Sequence, residues 1–83
     1  MYKIQIRVSL KKIAKQLPVK AYQAIVEAIY ELQNNPRPQG YIKLKNKEEY
    51  RIRVGNYRVL YEIHDDIITI IVIDIGHRKD IYK

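Results

Sequence analysis

"YRIRVGNYRVLYEI", residues 50–63, alternates apolar and polar side chains on both sides of Gly55-Asn56. Alternation of this kind marks half-buried strands, and Gly-Asn between two such runs marks a two-residue hairpin turn. Side chains of successive strand residues point to opposite faces. A two-residue turn therefore pairs Val54 with Tyr57 and Arg53 with Arg58. Tyr50, Ile52, Val54, Tyr57, Val59, Tyr61 and Ile63 then share one face, and Arg51, Arg53, Arg58 and Leu60 share the other. Like charges directly opposed across a strand pair are destabilising. The hairpin thus defines a core-facing side and leaves an unfavourable arginine pair on the far side.

The segments around the hairpin supply what packs on its apolar face. "YKIQIRV" at residues 2–8 alternates strictly and reads as a strand. Ser9 is placed to cap a short helix starting at Leu10, with Leu10, Ile13, Ala14 and Leu17 on one stripe. Pro18 ends that helix and suits the first turn of a second one, where Ala21, Ile25, Ala28, Ile29 and Leu32 follow helical spacing. "NNPRPQG" at residues 34–40 stops the second helix, and "YIKLK" at 41–45 is a brief strand. "IITIIVIDIG" at 67–76 is apolar at nearly every position, which predicts an interior strand covered on both faces. The order is β-α-α-β-β-β-β. The class is α+β: an N-terminal strand and a helical hairpin packed on one face of a mostly antiparallel sheet, in one domain over residues 1–83.

If Asp65-Asp66 forms a second two-residue turn, Arg58 pairs with Ile73. Gly76, His77 and Arg78 then begin beside the arginines, and Ile71 joins Leu60 on their face. Apolar residues outside the helix-packed side point to a partner segment covering part of it.

Composition narrows the function. The chain carries 16 Lys+Arg against 9 Asp+Glu, a net charge of +7. Lys43, Lys45, Lys47, Arg51 and Arg53 lie between Arg37 and Arg58, opposed only by Glu48 and Glu49. Clustered basic charge on a small domain favours a polyanion partner, most often nucleic acid. There are no cysteines, which excludes disulfides and thiolate metal sites and fits the reducing cytoplasm. No apolar run is long enough for a membrane span. No metal-ligand spacing, phosphate loop or triad signature is present, so no cofactor is expected.

A basic face can serve RNA cleavage without a metal. The RNA's own 2′-hydroxyl attacks the adjacent phosphate, and the protein aligns the attack, stabilises the phosphorane and assists proton transfer. Arginine forks grip phosphate oxygens in two places but hold their protons too tightly to act as bases. Tyr82 is suited to stacking on a base or donating a hydrogen bond, and His77 to moving a proton.

"YRIRVGNYRVLYEI", followed by an apolar strand and "IGHRKDIY", resembles the RelE branch of the RelE/ParE toxin superfamily. The resemblance covers essentially the whole chain. It implies a ribosome-dependent mRNA endoribonuclease of a type II toxin–antitoxin pair. Such a toxin acts in the A site of the 70S ribosome, against 16S rRNA and mRNA, and is blocked by a cognate antitoxin. The positions implied to carry activity are Arg51, Arg53, Arg58, Arg78 and Tyr82. The first two are lysines in relatives and arginines here, which leaves His77 as a candidate base. Lys43, Lys45 and Lys47 are expected on RNA backbone. Two other readings stay open: a ParE-like toxin that binds DNA gyrase, and a basic RNA-binding module without catalysis.

Overall fold

The structure is a computed structural model that describes residues 1–45 and 48–77. The elements are β1 (Lys3–Ile6), α1 (Leu10–Gln16), α2 (Val19–Glu31), β2 (Ile42–Lys43), β3 (Glu49–Val54), β4 (Tyr57–His64) and β5 (Thr69–His77). They form one five-stranded sheet in the order β1-β5-β4-β3-β2. Every neighbouring pair is antiparallel except β1 with β5. Both helices lie on one face of the sheet, as the sequence predicts. No helix among the described residues is long and apolar enough to cross a membrane.

Local chemistry sets the helix ends. The Ser9 side chain accepts from the Lys12 N–H at 3.2 Å and caps α1. Pro18 is the N-cap residue of α2, one position before the first turn where the sequence puts it. It is still compatible with helix entry, because proline has no N–H to leave unpaired there. From α2, Ile25, Ile29 and Leu32 are buried against Tyr50, Ile52, Val59, Tyr61, Ile70, Val72 and Ile75 of the sheet. Leu10, Ile13 and Leu17 extend this core beneath α1.

The β3–β4 hairpin has the predicted register, with Val54 opposite Tyr57 and Arg53 opposite Arg58. Gly55 has φ 60° at the first turn position. A glycine there is what a hairpin turn matched to the right-handed strand twist requires.

The β4–β5 connection departs from expectation. His64 pairs with Thr69, so the turn spans 65–68 rather than Asp65-Asp66 alone. Ile67 and Ile68 are exposed in it, and Ile68 takes φ 52°. A β-bulge then interrupts the ladder: Tyr61 pairs with Val72 but Leu60 pairs with Asp74, which leaves Ile73 extra. Arg58 is consequently opposite Gly76, not Ile73. The bulge returns Ile75 to the core opposite Val59. β5 is interior, as predicted, and its Ile71 is only 7% exposed on the face without helices.

Asp65 explains why the longer turn is held. Its carboxylate accepts from the Tyr2 hydroxyl at 2.5 Å and from Arg37 Nη2 at 3.1 Å. This clamp joins the N-terminus, the segment after α2 and the β4–β5 turn. Arg37 also lies over the Tyr50 ring, 5.6 Å from its centroid. Tyr50 stacks on Tyr61, whose hydroxyl donates to the buried Pro36 carbonyl at 2.7 Å. Burial pushes the Tyr61 hydroxyl pKa up, so it remains a donor.

Two stability outcomes are expected. Tyr61→Phe leaves the Pro36 carbonyl without that donor and lowers stability by about 1 kcal/mol in a urea titration. The Asp65 carboxyl is held below the usual carboxylate range by the Tyr2 hydroxyl and then by Arg37. The stability it adds is complete above its unfolded pKa of about 4 and is lost as pH falls through the lower folded value. Acid titrations of wild type and Asp65→Asn therefore converge as pH falls below about 4.

Candidate nucleic-acid interface

The face of the sheet opposite the helices is built by alternation from the hairpin register. Glu49, Arg51 and Arg53 of β3 lie there, opposite Glu62, Leu60 and Arg58 of β4. The arginine pair stands next to the Gly55-Asn56 turn. The glutamate pair, Glu49 opposite Glu62, stands toward the other end of the hairpin. Sequence reasoning missed this second like-charge pair, although the same register specifies it. The face therefore has an acidic end and a basic end, which directs an anion toward the turn.

The glutamates are not equivalent to the arginines. Glu62 Oε1 lies 2.9 Å from His64 Nε2, so its charge has a local partner whenever the imidazole is protonated. The arginines differ among themselves. Arg58 is only 2% exposed, Arg51 is half-buried and Arg53 is exposed. The Arg58 guanidinium is held in place in part by Nη1 donating to the Tyr57 carbonyl at 3.3 Å. On its other side the register partner is Gly76, which has no side chain. A guanidinium fixed by its surroundings is a pre-organised positive charge.

His77 is not brought to this face. The bulge at Ile73 shifts the alternation by one residue, so His77 pairs with Tyr57 on the helix side. The two rings meet edge to face with centroids 5.6 Å apart. His77, Tyr57 and Ile75 line a cleft of about 370 Å³ with Ile13 and Leu17 of α1. Its expected grouping with the arginines assumes an unbroken β4–β5 ladder, and the bulge corrects it.

The expected RNA-contacting lysines divide as well. Lys43 is exposed on β2, opposite Tyr50, and lies 3.9 Å from Glu48. Lys45 is exposed. Lys47, Arg78 and Tyr82 lie outside the described residues. Arg37, counted with the basic run in the sequence, is neutralised by Asp65 in the clamp.

The opposed pair has a measurable consequence. Arg53→Glu converts a repulsive cross-strand pair into an attractive one. The variant is expected to be more stable than wild type by about 0.2–1 kcal/mol in a urea titration. Equal or lower stability would contradict repulsion at this site.

Comparison with known proteins places this geometry. Residues 5–82 match the family described as the ParE toxin of the type II toxin–antitoxin system, parDE. The chain is 31% identical to a toxin named RelE1 of Methanocaldococcus jannaschii over 86 residues, covering 99% of this chain and 96% of the relative. It is 29% identical to Toxin RelG of Mycobacterium tuberculosis over 84 residues, covering 99% and 97%. The crystal structure of the archaeal RelE-RelB complex from Pyrococcus horikoshii superposes with a TM-score of 0.80 at 28% identity, covering 93% of this chain and 94% of that one. The family match spans nearly all of the sheet and both helices, and the chain therefore belongs to the type II toxin family of ParE, within its RelE branch.

Proposed function

We propose that this toxin cuts mRNA on the ribosome, in the A site, by promoting attack of the RNA's own 2′-hydroxyl. The observation that carries the reading is the Arg53–Arg58 pair beside Arg51, on the face that the helices do not cover. A phosphate gripped by the exposed Arg53 relieves the repulsion, with the buried Arg58 supplying its charge from beneath.

In the proposed reaction the 2′-oxygen forms a bond to phosphorus while the bond to the 5′-oxygen breaks. A proton leaves the 2′-hydroxyl and a proton reaches the departing 5′-oxygen. The added negative charge on the phosphorane falls among Arg51, Arg53 and Arg58. Arg58 is buried and held, so it supplies charge with little reorganisation. Arg53 is exposed and suited to gripping the incoming backbone. The resemblance adds Arg78 as a further phosphate contact and Tyr82 as a stacking or hydrogen-bonding group. We assign His77 to positioning the end of β5 rather than to proton transfer, because it packs on Tyr57. Lys43, Lys45 and Lys47 extend the backbone contacts.

A cognate antitoxin belongs to the proposal, since the Pyrococcus relative is a RelE-RelB complex. Action on translating ribosomes places the protein in the cytoplasm.

Induction of the toxin alone is expected to arrest growth and to yield mRNA 5′ ends within translated codons. Intact messages with halted DNA replication would instead support binding to DNA gyrase. Arg58→Ala is expected to slow cleavage by roughly 100-fold, the usual cost of one pre-organised charge donor. Undiminished cleavage by Arg58→Ala, Arg78→Ala and Tyr82→Phe together would refute the site.

A further inference from the structure

The first acidic residue of the chain is Glu27; before it stand Lys3, Arg7, Lys11, Lys12, Lys15 and Lys20. Half of these basic residues fall within the single short helix α1. Helical geometry sorts them sharply. At about 100° per residue, Lys11, Lys12 and Lys15 fall within an arc of about 100°, centred about 180° from Leu10, Ile13 and Leu17. The structure agrees: the three lysines are exposed, whereas Leu10, Ile13 and Leu17 pack on the core. Lys20, at the start of α2, is exposed as well.

We propose that this lysine face of α1 is a second RNA-backbone contact, separate from the arginine face. The inference rests on the proposed ribosomal action and adds to it how the toxin is held. Its residue chemistry favours phosphate over a protein partner. Lysine is a point charge that binds phosphate without demanding a geometry. Protein interfaces are depleted in lysine and anchored by aromatic residues and arginine, and the exposed arc of α1 offers neither.

The placement shows why the contact is separate. α1 lies on the helix side of the sheet, and its lysines point away from the sheet. Arg53 and Arg58 lie on the other side. The sheet, and the core residues that α1 packs against it, stand between the two groups. Screening at physiological salt acts over about 8 Å. A phosphate held by the arginines therefore leaves the lysine face uncompensated. A second stretch of backbone, on the opposite side of the protein, answers that charge. The toxin then sits between two RNA segments: the strand at the arginines, and a structural RNA at α1 that positions without being cut.

The test uses the full chain and purified 70S ribosomes programmed with mRNA. Binding is measured by co-sedimentation over a salt series for wild type, for Lys11→Gln with Lys12→Gln and Lys15→Gln, and for the same three positions changed to Arg. Glutamine keeps helix propensity and the aliphatic stem, and a thermal melt checks the fold. Loss of three phosphate contacts is expected to make the slope of log affinity against log salt shallower by about 2 to 3. Cleavage per bound ribosome stays at the wild-type level, and the arginine variant keeps the wild-type slope. An unchanged slope in the glutamine variant overturns the inference while leaving the arginine site intact. So does a loss confined to antitoxin binding, which would make this face the antitoxin's. Failure of the wild type itself to bind ribosomes overturns the functional reading and this inference with it.

Discussion

The register of the β3–β4 hairpin is the constraint on which the rest depends. Gly55 at positive φ closes the turn and sets Val54 against Tyr57. Because strand side chains alternate, one choice of register decides every facing pair along both strands. It sends Tyr50, Ile52, Val59 and Tyr61 into the core beneath α2. It also forces Arg53 against Arg58, and Glu49 against Glu62. A slip by one residue would relieve the charges but expose the tyrosines and aliphatics. Burying several such side chains contributes roughly 1.5–3 kcal/mol each, against at most about 1 kcal/mol for a like-charge pair. Hydrophobic burial wins, and the charge pattern is carried with it.

That hierarchy gives the two sides of the sheet different roles. The helix side holds the fold together through the aliphatic core, the Tyr50–Tyr61 stack and the clamp of Tyr2, Asp65 and Arg37. The other side bears charge at the Gly55 end, with Arg53 exposed and Arg58 buried beside it. Residues of the same kind are therefore split by location. Arg37 is a structural cation paired with Asp65, whereas Arg53 and Arg58 face one another. Membership of the RelE branch fits this division, because the shared fold covers the sheet and both helices.

Much of this was legible in the sequence where apolar and polar residues alternate. The hairpin, β1, the Ser9 cap and the stripes of both helices follow from local pattern. The β4–β5 register was not legible. Between Ile67 and Ile73 every residue but Thr69 is apolar, so no alternation marks which residues face the core. The turn length is set instead by contacts of Asp65 with residues distant in sequence, Tyr2 and Arg37. The bulge at Ile73 then reverses the alternation beyond it, and this moved His77 away from the arginines. The Glu49–Glu62 pair was within reach of sequence reasoning, since it needs only the hairpin register already read.

On the proposed mechanism, the Arg53–Arg58 pair is unfavourable in the toxin alone and favourable around a phosphate. A double-mutant cycle on Arg53→Ala and Arg58→Ala tests it in two states. One arm is folding stability of the isolated toxin; the other is the rate of mRNA cleavage on programmed ribosomes. The cycle isolates the coupling of the two side chains from the separate cost of removing each. Repulsive coupling in stability and cooperative, favourable coupling in cleavage are expected. Absent or attractive coupling in the isolated toxin, or independent effects on cleavage, would contradict the mechanism.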